Sequence, residues 1–152
     1  MKVANRYTLD APPERVWPHI LNPSLLMKLI PGCQQIEQVS PTEYHAQIRA
    51  RLAAIAATFR TVVRLVECEE PHHCSFEGVV TGPTGSIRGS ASFELQEVNA
   101  HKTLIEYQGN AIISGALMQL SARFFEGVAD TFIKQGLAQL NQELQSEQKD
   151  SQ

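Results

Sequence analysis

Few side chains of this 152-residue chain have the type and spacing that nucleophilic chemistry or metal binding requires. Cys33 follows the C-terminal end of a predicted helix, whereas a reactive thiolate is favoured at a helix N-terminus or beside a histidine. His72 and His73 precede Cys74, but neighbouring residues of an extended segment point to opposite sides of it. Because no second Cys/His pair follows at a zinc-like spacing, the sequence predicts a structural cysteine, a histidine-containing turn and no metal site.

The sequence also lacks the arrangements that other catalytic classes need. It has no nucleophile elbow, no Ser-His-Asp order and no glycine loop of the kind that cradles phosphate. Glu69 and Glu70 are adjacent carboxylates, but they precede Pro71 at a strand end, where a polar turn is expected. Thr61 and Tyr107 are the polar side chains predicted to face inward. We therefore expect no catalytic residue and no cofactor, and acid–base catalysis by these two hydroxyls is the alternative.

Composition and charge are those of one ordinary globular domain. The hydrophobic fraction is 43% and the formal net charge is −3. Phosphate neutralisation needs a concentrated basic face, and the basic residues are scattered, apart from a loose group at Arg49, Arg51, Arg60 and Arg64. The sequence therefore argues against nucleic acid as a partner. The alternate spacing of Arg49 and Arg51 favours a solvated strand face over a patch for an anionic partner.

Three observations bear on the cellular compartment. Residues 1–6 lack the apolar segment of a signal peptide, and no stretch approaches the roughly 18 apolar residues of a membrane span. Cys33, Cys68 and Cys74 are odd in number and match no disulfide framework, which fits a reducing environment. We expect a cytoplasmic protein without a transmembrane segment.

Hydrophobic patterning predicts the order β-α-α-β-β-β-β-β-β-α. Runs of strands between segregated helices indicate an α+β fold with an antiparallel sheet. The predicted strands are 2–9, 34–40, 43–55, 58–69, 74–81, 87–98 and 102–113, with short helices after residue 12 and at 24–29. We assign residues 1–145 to a single domain and residues 146–152 to a polar, disordered tail.

One long helix is predicted for the last third of the chain, from Gly115 to Glu147. Its apolar residues recur at spacings of three and four, which places them on one stripe. They are Leu117, Leu120, Phe124, Val128, Phe132, Leu140 and Leu144. A helix of about 30 residues would span roughly 45 Å and must pack on the strands that precede it.

This order of elements resembles the helix-grip fold of the START and birch-pollen-allergen superfamily (SRPBCC, polyketide cyclase-like). In that fold a seven-stranded antiparallel sheet wraps around a long C-terminal helix, and two short helices close one end. Within it the chain resembles the family of the carbon monoxide dehydrogenase G subunit. The resemblance is carried by residues 11–17 (APPERVW), 30–33 (IPGC), 82–89 and 115–125. Leu117 and Ser121 depart from the small residue and glycine that the family usually shows there.

The resemblance implies an apolar cavity between the sheet and the long helix, and a filled core is the alternative. The alternation of small and large residues on the strands agrees with a cavity. The candidate cavity residues are Trp17, Met27, Ile30, Ala46, Ile48, Ala50, Thr61, Val63, Ala91, Phe93, Ile105, Tyr107, Gly109, Leu117, Leu120, Phe124 and Val128. Met27 and Ile30 would then belong to a lid on the second short helix.

For function, the resemblance implies a non-enzymatic binding protein for a hydrophobic small molecule, either a lipid or an isoprenoid quinone. Its partner would be a molybdenum hydroxylase of the carbon monoxide dehydrogenase type, which it would recruit to the membrane through peripheral contact or supply with an electron acceptor. Two alternatives stay open at this point. One is an enzyme of polyketide cyclase/aromatase type that uses the same cavity. The other is a module that docks an acidic partner through the arginine group.

Overall fold

The computed structural model describes the backbone of residues 1–150 and the side chains of residues 1–148. Eleven elements follow one another along the chain. They are β1 (Lys2–Leu9), α1 (Pro13–Ile20), α2 (Pro23–Leu29), β2 (Cys33–Ser40), β3 (Glu43–Leu52), β4 (Ile55–Glu69), β5 (His73–Gly82), β6 (Gly85–Asn99), β7 (Lys102–Gly115), a short 3-10 helix (Ala116–Gln119) and α3 (Ala122–Asp150).

The seven strands form one sheet in the order β1-β7-β6-β5-β4-β3-β2, and every neighbouring pair is antiparallel. β1 pairs with β7, so the first and last strands of the chain meet, and the connection between β1 and β2 carries α1 and α2. The helix α3 contacts β1, α1 and α2. The α+β, helix-grip architecture predicted from the sequence is confirmed.

Both short helices begin at a proline. Pro13 lies in the first turn of α1, where its missing N–H costs no helical hydrogen bond. In α2 the side chain of Asn22 accepts a hydrogen bond from the Leu25 N–H (3.2 Å), so it caps the helix. Val16 and Trp17 of α1 are buried against the sheet. Each helix is therefore fixed by one end signal and one apolar face.

Buried side chains form two separate clusters. The larger cluster lies where α1, α2 and the C-terminal half of α3 meet the sheet, and it includes Leu9, Val16, Trp17, Phe93, Leu95, Ile105, Leu140 and Leu144. The smaller cluster lies where the β3–β4 hairpin meets the 3-10 helix and the start of α3, and it comprises Leu52, Ala57, Phe59, Leu117 and Phe125. The middle of α3 runs between the two clusters.

The start of the long helix was predicted wrongly. β7 continues to Gly115, whose φ of +79° suits glycine, and the chain then makes the short 3-10 helix. The helix α3 begins only at Ala122, and the Ser121 hydroxyl accepts a hydrogen bond from the Phe124 N–H (3.1 Å) in the manner of an N-cap. At its other end α3 runs through Asp150, although the sequence indicated a disordered tail from residue 146. Residues 151 and 152 of that tail lie outside the described residues.

The third strand is also shorter than predicted. β3 ends at Leu52 rather than Ile55, and Ala53 adopts a positive φ of 55° in the turn that follows. β4 then begins at Ile55, directly opposite Leu52. The alanine-rich run from residue 53 to 57 offered no glycine or proline to mark this hairpin.

The cysteine pattern of the sequence predicted no disulfide, and this prediction is wrong. The structure joins Cys68 to Cys74. The turn between β4 and β5 places these two residues opposite each other in the sheet register, although six positions separate them in the sequence. Cys33 is the free cysteine within the part of the chain that the structure describes.

The buried Thr103 hydroxyl fastens the loop before α1 to the sheet. It is fully buried and donates a 2.6 Å hydrogen bond to the Ala11 carbonyl oxygen. Thr103→Val keeps the shape of the side chain and leaves that carbonyl unpaired, so we expect it to lower the free energy of unfolding by about 1–3 kcal/mol. Urea denaturation would measure this loss. Thr8→Val, at an exposed position of β1, serves as the control, and equal losses in the two variants would contradict the prediction.

Asp10 ties the same loop to the far end of α3. Its carboxylate accepts hydrogen bonds from Asn141 (3.0 Å) and Gln145 (2.8 Å), and these two bonds lower the pKa of Asp10 below 3.8. Because the folded pKa is depressed, the stabilisation is present above about pH 3.8 and is lost as the pH falls through the folded value. We expect Asp10→Ala to lower Tm at pH 7 and to have a smaller effect at pH 2.5. Thermal melts across this range test it, and a penalty of the same size at both pH values would contradict it.

Candidate ligand cavity

Two adjoining apolar spaces lie between the sheet and the middle of α3 and form a two-part cavity. The sheet half has a volume of about 400 Å³ and is bounded by β4–β7, β1 and α3. The lid half, of about 420 Å³, lies beneath α2 and is bounded by β2–β4 and α3. The two halves share the walls formed by Thr61, Val63, Phe76, Phe93, Ile105, Ile133 and Leu137.

The volume of the sheet half comes from small residues on the central strands. Gly78 lies opposite Gly89 in the register of β5 and β6, and Ala91 lies opposite Gly109 in that of β6 and β7. All four residues line the sheet half. Where four neighbouring positions carry no side chain beyond a methyl group, the sheet leaves space that a close-packed core would fill.

The lid half has larger, branched walls. Leu26 and Leu29 of α2 close it from above, and Ile48 of β3 lies on the sheet side. Gly136 of α3 also lines it, and a Cβ atom at this position would lie 3.1 Å from the Leu29 carbonyl oxygen. The glycine therefore allows α2 to approach α3 closely and cover this half of the cavity.

Charged side chains are absent from the cavity walls among the described residues. Thr61 and Tyr107 line the sheet half, and their hydroxyl oxygens are buried and have no hydrogen-bond partner among the described residues. Burial raises the pKa of Tyr107, and the negative charge of Asp130 raises it further, against a smaller opposing effect of Lys134. Tyr107 is therefore a protonated hydrogen-bond donor at neutral pH and a poor general base.

Ten of the seventeen candidate residues line this cavity. Thr61, Val63, Phe93 and Ile105 line both halves, and the others line one half each. The sheet half adds Ala91, Tyr107 and Gly109, and the lid half adds Ile30, Ala46 and Ile48. Each strand residue in this set had been assigned to the inward face from period-two alternation, and the cavity itself was implied by the resemblance.

The other seven candidate residues lie away from the cavity walls. Trp17 is buried in the larger core, where its ring centroid lies 5.9 Å from that of Phe93. Met27 of α2 is 38% exposed and faces away from the cavity. Of the remaining five, Leu117 belongs to the smaller cluster near the hairpin tips and the other four pack against that cluster. The five are Ala50, Leu117, Leu120, Phe124 and Val128.

The residues of α3 that do line the cavity were missed. They are Ala129, Phe132, Ile133, Gly136, Leu137 and Leu140. Phe132 and Leu140 belong to the predicted stripe, but the cavity lies further along that stripe than the four helix residues that were named as cavity candidates. The signal for this shift was Ser121, since a capping serine before an apolar run marks where a helix starts.

Other groups considered for chemistry have ordinary structural roles. Burial raises the pKa of the Cys33 thiol, which disfavours its nucleophilic thiolate form. His19 bridges the Arg15 carbonyl (2.7 Å) and Glu147 (2.8 Å), so it joins α1 to α3 and lies outside the cavity walls. Within residues 1–148 no three His, Cys, Asp or Glu side chains come close enough together to hold a metal ion. Over the same stretch, no helix has the length and apolar character to cross a bilayer.

A curved sheet that grips a long C-terminal helix around an apolar cavity defines the helix-grip class of START-like proteins. A conserved protein from Geobacillus kaustophilus superposes with a TM-score of 0.91 at 22% identity over 96% of each chain. A START superfamily protein from Mycobacterium smegmatis gives 0.71 at 10% identity, over 94% of this chain and 98% of that one. The Zhui aromatase/cyclase from Streptomyces sp. R1128 gives 0.68 at 14% identity, over 95% of each chain. At these identities the likeness shows the fold alone.

The model of the carbon monoxide dehydrogenase G subunit family (CoxG) matches residues 6–145, and the chain belongs to this family. The match spans the sheet, the two short helices and the cavity-lining part of α3. A search of curated proteins finds no match to this sequence.

Proposed function

We propose that this protein is a non-enzymatic carrier of a hydrophobic small molecule, either a lipid or an isoprenoid quinone. Its partner is a molybdenum hydroxylase of the carbon monoxide dehydrogenase type. The carrier exchanges the molecule with that enzyme or with a membrane surface. The observation that supports the carrier role is the two-part cavity, whose described walls carry no charged side chain. Family membership supports the choice of partner enzyme. The cytoplasmic location stays a prediction from the sequence.

The first test is native mass spectrometry of freshly purified protein, followed by solvent extraction and mass identification of any bound molecule. The stripped protein is then titrated with decylubiquinone while the fluorescence of Trp17, the single tryptophan, is followed. Trp17 lies against Phe93, which lines both halves of the cavity, so a bound quinone should quench it. The proposal would be contradicted if the purified protein carries no ligand and its fluorescence responds to neither quinones nor lipids.

The accessory role requires a docking surface, and the arginine group supplies a candidate. Arg49, Arg51 and Arg60 are exposed, whereas Arg64 is engaged by Glu77 at 2.7 Å. An acidic partner surface would be attracted to this group in a salt-sensitive way. Co-purification with the molybdenum hydroxylase of the same organism should weaken in Arg49→Glu/Arg51→Glu and at high salt. Arg6→Glu, at an exposed position of β1, is the matched control.

The second candidate function is an enzyme of polyketide cyclase/aromatase type. The observation in its favour is the pair of buried hydroxyl oxygens without a partner among the described residues, Thr61 Oγ1 and Tyr107 Oη, on residues that line the cavity. Against it, the raised pKa of Tyr107 makes this group a poor base. Turnover of a cyclisable polyketide that is lost in Tyr107→Phe would favour the enzyme, and no turnover by the unmodified protein would remove it.

A further inference from the structure

We infer that molecules enter and leave the cavity through the seam between β1 and α3, and that α2 stays in place during this exchange. The seam is formed by residues 2–6 of β1 and residues 126–134 of α3. The inference rests on the proposed carrier function, because a carrier must exchange its ligand, and it adds the route of that exchange. Three observations carry it: how α3 is anchored, how the seam is held and how α2 is held.

The helix α3 spans the cavity and is anchored on either side of it. Phe125 is 3% exposed and belongs to the smaller cluster, and Leu140 is 1% exposed and belongs to the larger one. Between them, no residue from 126 to 139 is buried to the same degree. Gly127 lies in this stretch, and glycine is a poor helix former. The middle of α3 can therefore shift while both clusters stay packed.

Two exposed hydrogen bonds hold the seam between β1 and the first half of α3. The backbone N–H of Lys2 donates to the Glu126 carboxylate (3.2 Å), and the Asn5 side-chain amide donates to the Asp130 carboxylate (3.2 Å). Of residues 2–6 in β1, four are exposed and one is half-buried, so α3 covers little of this strand. Water replaces exposed hydrogen bonds at little cost. The seam is therefore weakly closed.

The sheet half of the cavity lies directly behind the seam. Val3 of β1 and Ala129 of α3 line it, and Ala129 precedes the seam residue Asp130. One turn further along α3, Ile133 lines both halves. A molecule that passes the seam therefore reaches the sheet half first, next to the wall that the two halves share.

The helix α2 is held more firmly than the seam. Just before it, the Tyr44 hydroxyl donates a part-buried hydrogen bond to the Leu21 carbonyl oxygen (2.7 Å). Just after it, the Gly32 carbonyl oxygen accepts a hydrogen bond from the Arg49 N–H (2.8 Å). Leu29 of α2 is 8% exposed and belongs to the larger cluster. Lifting α2 would break these bonds and expose an apolar side chain, whereas opening the seam separates only exposed polar groups.

A cross-link across the seam gives the most direct test. Asn5→Cys and Asp130→Cys are combined and joined by a short bismaleimide, with Cys33→Ser to remove the free thiol. Neither Asn5 nor Asp130 lines the apolar cavity. The probe is Nile red, a neutral dye that fluoresces in apolar surroundings, and its entry is followed by stopped flow. The cross-link should slow entry by about tenfold or more and leave the affinity at equilibrium unchanged. The same variant before cross-linking is the control.

Single substitutions test the seam in the opposite direction. Asp130→Ala removes the bond to Asn5 and should speed the entry of Nile red by about threefold. It also removes the ion pair between Asp130 and Lys134 (3.0 Å). Lys134→Gln removes this ion pair alone and should leave the rate unchanged. Asn22→Ala removes the cap of α2 and should also leave the rate unchanged, because α2 does not open.

The outcomes separate this inference from the carrier function. Slower entry in the cross-linked protein together with faster entry in Asp130→Ala supports the seam. Equal rates with and without the cross-link overturn it, as does a larger acceleration in Asn22→Ala than in Asp130→Ala. An unmodified protein that takes up no Nile red also overturns it. If Nile red enters through the seam but the protein binds neither quinone nor lipid, the carrier function fails and the route into the cavity remains.

Discussion

Leu140→Ala is expected to lower the free energy of unfolding by about 2–5 kcal/mol. Leu140 is 1% exposed and belongs to the larger cluster, in which α3 packs on α1 and the sheet. The variant loses the transfer free energy of the removed carbon atoms and leaves a hole among neighbours that relax only partly. The loss should appear in urea denaturation at pH 7 as a lower midpoint with an unchanged slope.

Leu137→Ala is the matched control, three residues earlier on the same helix. Leu137 is half-buried and lines both halves of the cavity, whereas Leu140 borders only the lid half, so more of the Leu137 surface already borders empty space. Its truncation enlarges an existing cavity and should cost clearly less than truncation of Leu140. Equal losses in the two variants would mean that α3 packs on the sheet without the space described here.

The inward faces of the strands were predictable where the strand alternates regularly between buried and exposed residues. In β3, for example, Tyr44, Ala46 and Leu52 are buried, while His45 and Gln47 are exposed. A period of two leaves only one choice of face, and the apolar members must face the helix. For this reason the strand residues named from the sequence line the cavity, with the exception of Ala50, although others on the same strands, such as Leu65 and Ile87, were not named.

The helix wall could not be predicted with the same success. The apolar stripe of α3 is wide, since Phe124 and Phe125 are adjacent, as are Phe132 and Ile133. Periodicity gives the face of the helix, but the position of the cavity along that face depends on where the hairpin tips meet the helix. The smaller cluster fills the N-terminal part of α3, so the cavity begins only near Ala129.

The pairing of Cys68 with Cys74 was missed for a different reason. The count of cysteines is odd, and the rule that counts them ignores which residues a hairpin places opposite each other. Once β4 and β5 are known to pair around the turn, the register brings these two residues together. The pairing therefore depended on the exact turn between two strands, and boundaries of elements are the least reliable part of a sequence analysis.

Ile133→Glu is expected to make ligand binding strongly dependent on pH. Ile133 lines both halves of the cavity, so a side chain introduced there borders both spaces. Desolvation in an apolar space raises the pKa of a carboxyl, and a bound ligand that excludes water raises it further. Each pKa unit of difference between the free and bound protein corresponds to a tenfold change in affinity. At pH 8 we expect decylubiquinone to bind about a hundredfold more weakly than to the unmodified protein.

The sign of the pH dependence distinguishes this variant from one that merely disturbs packing. Because the introduced carboxyl has a raised pKa in the folded protein, the variant is destabilised progressively as the pH rises above about 4.3, its value in the unfolded chain. Both affinity and Tm should therefore recover towards pH 5. Ile133→Gln, with a neutral side chain of similar size, should show weaker binding that does not vary between pH 5 and pH 8. If the affinities of the two variants depend on pH in the same way across this range, the bound ligand does not cover Ile133.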